Sequence, residues 1–334
     1  MTHSFLNRLT NTLWVAIAIF VMLLAIYVSL GRFVVARVSE FQQPILQELN
    51  HRLGMVIEAD QIRGRWTAMA PYLELEGVRI LGDDHMPVAV HLERLDIGLN
   101  LAGTVASFKM EMHALVASGL QLHVDITEDG ALVIPGIPAG GGLSKSLLRF
   151  LFATGSLQLE QARLIVHEGD IEHDFRIDLN LRRDEDFRRL RASVVSPSQR
   201  SWFRVIAEGI GEPTKLDDLR AQVHIESHVP EVSNYTGLAA AAGFRLEDGE
   251  LDGQLWLNID AGEIKALADF AAGDLQIRQL VDDGKRLQLD ELSAQVQAAS
   301  VGGRWQYGAS GINARVGDKT FQLNAMSGVL ENGE

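Results

Sequence analysis

Beyond about residue 55, apolar and polar side chains alternate along most of the chain, and this period of two is its dominant signal. Tyr72-Leu73-Glu74-Leu75-Glu76 opens the pattern. Leu95, Ile97, Leu99 and Leu101 then alternate with Asp96, Gly98, Asn100 and Ala102, and Leu120, Leu122, Val124 and Ile126 alternate with Gln121, His123 and Asp125. The rhythm returns at Leu157/Leu159, Phe175/Ile177/Leu179/Leu181, Leu255/Leu257/Ile259 and Phe321/Leu323. Each run predicts a strand with apolar side chains on one face and polar ones on the other. Asp129-Gly130, Asp248-Gly249 and Asp283-Gly284 read as hairpin turns, because glycine supplies the positive φ that tight turns need. Roughly fourteen to sixteen strands are expected, interrupted by helices at Leu143–Phe152 and Glu231–Ala242.

The first fifty residues follow other periods. Leu9 to Gly31 carries no charge over 23 positions. That suffices to cross a hydrocarbon core of ~30 Å, with Trp14 and Tyr27 near its ends and Phe20 at its centre. The run is longer than a signal-peptide core and lacks a small-residue cleavage site, so a retained anchor is expected. Arg8 on one flank against Arg32 and Arg37 on the other leaves its orientation undecided. Val38, Phe41, Ile45, Leu49 and Leu53 then recur every three or four residues, predicting a connector helix that ends at Gly54, with Pro44 at its start or at a kink.

A meander of this many strands with one apolar face must cover that face. A sandwich, a closed barrel and a curled trough holding something else all satisfy the pattern. An outer-membrane barrel fits poorly with an N-terminal apolar anchor.

Composition narrows the chemistry. The formal charge is -14 over 334 residues, and residues 1–40 carry a net of +2. The remainder is therefore strongly acidic, which argues against nucleic acid as a partner. The absence of cysteine excludes disulfides, thiolate nucleophiles and Cys-ligated metal. There is no Gly-x-Ser-x-Gly, His-Glu-x-x-His or Gly-x-x-x-x-Gly-Lys motif. His224, Glu226 and His228 fall on one strand face, but positions four apart lie roughly 13 Å from each other, so the two histidines cannot share an ion. His224 with Glu226 reads best as polar neighbours facing solvent. Arg182-Arg183-Asp184-Glu185-Asp186-Phe187-Arg188-Arg189-Leu190-Arg191 is the densest charge cluster. It reads as a solvated hairpin tip with internal charge pairing, or as a contact for lipid phosphate. No catalytic or metal site and no cofactor is expected.

The order of elements carries a resemblance. The anchor, the connector and Leu53-Gly54-Met55-Val56-Ile57 resemble the start of the YhdP branch of the AsmA-like (AsmA/TamB-related) proteins. Ile62-Arg63-Gly64-Arg65-Trp66 through Pro71-Tyr72-Leu73-Glu74-Leu75 is similar to that family's Gly-x-Trp…Pro-x-Leu-x-Leu element. Leu95-Asp96-Ile97 through Leu120-Gln121-Leu122 to Asp129-Gly130 resembles its alternating strand pair, and Leu157-Gln158-Leu159-Glu160-Gln161-Ala162-Arg163-Leu164 the strand that follows. The match is firm over roughly residues 1–170 and rests on the meander alone thereafter. Family members are usually several times longer, so the chain is expected to be an N-terminal fragment.

The resemblance implies a mainly β fold: an N-terminal transmembrane helix, a long antiparallel meander curled into an elongated groove, and a few short helices. It implies a cytoplasmic stub and anchor over residues 1–35, a connector over 36–54 and a periplasmic β-groove region over 55–334, single-pass in the inner membrane. The implied function is a bridge-like lipid-transfer conduit that moves phospholipid toward the outer membrane and supports its permeability barrier. The expected partners are phospholipid and the inner membrane, with the chain acting as a monomer. A TamB-like assembly scaffold, contacting outer-membrane or envelope proteins, is the alternative. In the conduit reading Leu95, Ile97, Leu99, Leu101, Leu120, Leu122, Val124, Ile126, Leu157, Leu159, Leu255, Leu257 and Ile259 line the groove, and Trp14, Phe20 and Tyr27 seat the anchor.

Overall fold

The computed structural model describes residues 14, 17–22, 25–29, 31–33, 37–53, 56–67, 70–81, 87–100, 103, 112–126, 132–133, 154–168, 171–196, 200–211, 215–235, 244–279, 286–301 and 304–330. Leu101, Asp129-Gly130, Leu143–Phe152 and Asp283-Gly284 lie outside them.

The alternating runs form strands β1 (Val56–Glu58), β2 (Gln61–Thr67), β3 (Ala70–Leu81), β4 (Pro87–Leu99), β5 (Met112–Ser118), β6 (Gln121–Ile126), β7 (Leu132–Val133), β8 (Ser156–Glu168), β9 (Ile171–Asp184), β10 (Phe187–Ser196), β11 (Ser201–Ile210), β12 (Arg220–Val229), β13 (Phe244–Asp260), β14 (Glu263–Gln279), β15 (Arg286–Val301), β16 (Arg304–Val316) and β17 (Lys319–Leu330). All seventeen belong to one sheet. From β8 to β17 each strand pairs antiparallel with the next. The meander breaks once. β5 and β6 lie end to end between β4 and β8, antiparallel to the first and parallel to the second. Among the described residues β2 pairs only with β3 and β17 only with β16, so no barrel closes. Among the described residues every strand belongs to this sheet and none forms a second, sandwiching layer.

Bulges crease the sheet. Gly77 in β3 (φ 59°), Gly119 between β5 and β6 (φ 65°) and Gln161 in β8 (φ 53°) fall in one line, because Glu76 pairs with Arg94, Arg94 with Ser118 and Ser118 with Glu160. Across this line the inward parity changes in neighbouring strands together, and at Gln161 the extra residue appears as a register shift against β9. Leu75 and Val78, three apart, therefore both enter the core, as do Ala117 and Leu120. Gly249 (φ 121°), Asp274 (φ 49°) and Gly311 (φ 59°) interrupt β13, β14 and β16 in the same way. Asp248-Gly249 is thus a bulge inside a seventeen-residue strand and not the expected hairpin turn. The positive φ that suggested a turn serves the bulge instead.

The described α-helical residues lie at the N-terminal end. A 3-10 turn at Val38–Phe41 runs into helix α1 (Gln42–Leu53), as expected for the connector. Pro44 sits in the first turn of α1, where a missing N–H costs nothing. Asn50 Oδ1 accepts a bond from Ile57 N (2.8 Å) and Gln42 Nε2 donates to Ala59 O (3.2 Å), tying α1 to the first strand. Val38 and Leu46 complete a core with Ile62, Leu73, Leu75, Val78, Leu92, Ile97 and Leu115. Of the second expected helix, only a 3-10 turn at Val232–Tyr235 falls within the described residues. Its Val232 packs into a smaller cluster with Val229, Ala272, Leu275 and Leu289.

The expected transmembrane helix lies partly outside the described residues. Among those described, no helix is long and apolar enough to cross a membrane. Helical stretches at 17–22, 25–29 and 31–33 are present, with Trp14 and Phe20 exposed. Tyr27 meets Trp66 of β2 edge-on, ring centroids 5.8 Å apart. A Cβ on Gly31 would overlap the Trp66 ring, so glycine there permits the contact.

This close approach can be tested with a double-mutant cycle. Helix propensity alone would make Gly31→Ala stabilising by about 1 kcal/mol. Because the methyl overlaps the indole, the variant should instead be destabilised by about 1–3 kcal/mol in thermal or denaturant unfolding. In a Trp66→Leu background the penalty should largely disappear. An equal penalty in both backgrounds would contradict the contact.

Candidate functional site

The register assembles the alternating runs into rows that cross the sheet. One row runs Ile62, Leu75, Leu95, Ala117, Leu159, Leu179, Ala192, Val205, Ile225, Leu255, Ala268, Val296, Ala309 and Met326, one residue from each of fourteen strands. The next runs Gly64, Leu73, Ile97, Leu115, Leu157, Leu181, Leu190, Ala207, Val223, Leu257, Ala266, Ala298, Tyr307 and Gly328. Neither row contains a charged residue. At ~4.8 Å per strand the rows follow the sheet for about 62 Å.

The register places the described sequence-predicted residues, Leu101 being outside them. Leu95, Leu159 and Leu255 share the first, and Ile97, Leu157 and Leu257 the second. Leu122 pairs with Leu164 and Val124 with Val166 on the same face beyond the crease, while Ile126 and Ile259 lie on parallel rows. Their exposures differ. Ile97 (1%) and Val124 (7%) are buried, and Leu95, Leu99, Leu120, Leu157 and Leu159 pack partly buried on the core under α1. Leu255, Leu257 and Ile259 are half-buried, like Val205, Ile225 and Val296. The accessible part of the face is thus the stretch from β10 to β16. Its floor includes Val205 and Val223 together with Ala192, Ala207, Ala268 and Ala298, and single-strand alternation did not single out the last four because alanine is a weak apolar signal.

The opposite face is polar and crossed by ion pairs. Arg63 meets Glu76 (2.9 Å), Arg163 Asp174 (2.9 Å), Arg189 Glu208 (2.6 Å), Arg204 Glu226 (3.0 Å) and Arg220 Asp260 (3.1 Å). In each the arginine is exposed, so the pair contributes little to stability. Together the pairs mark this face as the more polar one, although Val195, Ile206, Ile210 and Trp256 are also exposed on it. His224, Glu226 and His228 all point here, each to a different neighbour. His224 stacks on Trp256 (5.2 Å, 15°), Glu226 takes Arg204, and His228 Nδ1 lies 2.6 Å from Asp252 Oδ1. Among the described residues no group of three ligands can hold a metal ion. The arginine-rich segment is indeed the β9–β10 hairpin tip, turning at Glu185–Asp186. Arg189, however, pairs with Glu208 of β11 instead of within the cluster.

A family model described as YhdP protein matches residues 1–332. No curated protein and no solved structure matches the chain.

Asp96 gives the polar face a measurable pH signature. It is buried (6% exposed) between Arg65 at 3.3 Å and Arg94 at 3.7 Å. Burial raises its pKa above the ordinary 3.8, and the two guanidinium groups only partly oppose this. A carboxyl whose folded pKa is raised contributes stability that is complete below about pH 3.8 and lost as pH rises through the folded value. Unfolding at pH 4 and pH 7 should therefore show Asp96→Asn gaining on the wild type as pH rises. A difference that stays constant, or runs the other way, would contradict this.

Proposed function

The chain belongs to the YhdP family of AsmA-like envelope and lipid-transport proteins, and from that premise we propose that it is a phospholipid conduit. In this reading it is anchored in the inner membrane, lies mainly in the periplasm and passes lipid toward the outer membrane along the apolar face of its sheet. The observation that carries the reading is the pair of uninterrupted apolar rows, open to a ligand from β10 to β16. Moving a two-tailed lipid through water exposes on the order of thirty methylenes, at about 0.8 kcal/mol each, or roughly 24 kcal/mol. A continuous apolar floor removes most of that cost without catalysis, so the protein acts as a carrier and not as an enzyme.

Two further features support the reading. Val205, Ile225, Leu255, Leu257 and Val296 of the apolar rows are half-buried although no second layer covers them among the described residues, whereas alternate positions on the polar face, such as Asn258 and Asp260, are exposed. A sheet curled with its apolar side inward produces this asymmetry, consistent with the natural twist and the bulge lines. At the N-terminus Trp14, Ile17, Ile19, Phe20, Val21, Met22 and Ile26 are exposed apolar residues, which a membrane would cover.

A second reading, an assembly scaffold for envelope proteins, draws on β17. Its edge is unpaired among the described residues, and Phe321, Leu323, Met326 and Val329 are exposed along it. An extended partner segment could add there as a strand.

Photo-crosslinking in cells distinguishes the readings. Crosslinkers at Val205, Ile225 and Leu257 should capture phospholipid, and those at Gln222, Asn258 and Arg191 should not. Equal lipid labelling on both faces would refute the conduit. A single protein adduct from the β17 edge, with no lipid adduct from the rows, would favour the scaffold.

A further inference from the structure

Among the described residues, the apolar face carries a pair of cations beside its rows, and its position suggests which lipid group it meets. Arg183 at the end of β9 and Arg188 at the start of β10 are direct cross-strand partners. They continue the parity of Leu179 and Leu181 and of Leu190 and Ala192, so they stand on the apolar face one step beyond the row of Leu181 and Leu190. Both are half-buried, while Arg182, Arg189 and Arg191 on the other parity are exposed. Among the described residues of the two rows and of this rim position from β8 to β16, they are the charged side chains on that face.

The hairpin fixes these two in place. Arg183 Nε donates to Glu185 O at 2.7 Å, and Arg188 Nη1 donates to Gly211 O. Both contacts are to backbone carbonyls, which orient a guanidinium. The result is two guanidinium groups at the rim of an apolar floor. A phospholipid has the complementary layout, with acyl chains for the floor and one anionic phosphodiester at their end. Guanidinium forks recognise phosphate by paired charge-assisted hydrogen bonds.

Resting on the conduit reading, we infer that Arg183 and Arg188 form a headgroup-phosphate site at the rim of the apolar face. A lipid that pauses there lays its chains along the neighbouring Leu and Ala rows and its phosphate against the two arginines. The site favours phosphate-bearing lipids over neutral diacylglycerol of the same chain length.

The test uses the full chain in amphipol and two fluorescent lipids with identical acyl chains, a phosphatidylglycerol and a diacylglycerol. The wild type should bind the phospholipid more tightly. Arg183→Gln/Arg188→Gln should weaken phospholipid binding about tenfold or more and leave diacylglycerol binding unchanged. Arg183→Lys/Arg188→Lys, which keeps the charge but not the guanidinium fork and controls for folding, should retain a phospholipid preference weaker than the wild type's and stronger than the Gln variant's. Loss of both lipids by the Gln variant with its circular dichroism unchanged, or equal binding of both lipids by the wild type, overturns the site but not the conduit. Failure of the wild type to bind either lipid overturns both.

Discussion

Strand register is the constraint on which the rest of this structure depends. In a sheet the side-chain period is two, so a slip of one residue at any pairing would turn a whole strand's apolar set toward water. Ile62 and Met326 share one uncharged row only because thirteen successive pairings preserve parity. The bulges obey the same rule. Gly77, Gly119 and Gln161 are aligned across neighbouring strands, so parity changes together and the face remains continuous on both sides of the crease.

Such a sheet divides its stability unevenly. Near the N-terminus, α1 and the preceding 3-10 turn close a dry core around Ile62 and Leu75, each 0% exposed, and this end behaves as an ordinary folded unit. From β10 onward the first two rows join neither buried cluster. There the strands rely on backbone pairing and on neighbours within the row. The opposite face, with its ion pairs and the chain's large negative charge, opposes self-association through that side. A protein that must present apolar surface needs a rigid base and a soluble back, and the two faces supply these separately.

Much of this was legible in the residues, and what was not has physical causes. Leu255, Leu257 and Ile259 show their strand and its face directly, because bulky residues alternate with Trp256 and Asn258 in an unbroken run. The rows themselves could not be read, since nothing local specifies that Leu255 pairs with Ile225 and not with Val223. The parallel step at β8 was equally invisible, because it depends on a long connection. Asp248-Gly249 misled because a bulge and a hairpin turn ask the same favour of glycine. Arg183 and Arg188 were visible as part of a cluster. Only the β9–β10 register separates them from Arg182 and Arg189 and assigns them to the apolar side.

The central claim is that the rows from β10 to β16 are open and are filled by lipid. Because the chain contains no cysteine, a single introduced one can carry a nitroxide at a chosen position. Electron paramagnetic resonance would read each label's collisions with oxygen and with a water-soluble nickel relaxant, before and after phospholipid is supplied. Labels at Val205, Ile225 and Leu255 should be reachable by nickel without lipid and become oxygen-dominated with it, while labels at Gln222 and Asn258 stay in water throughout. Row labels that are already dry without lipid, or that remain wet with it, would contradict the account.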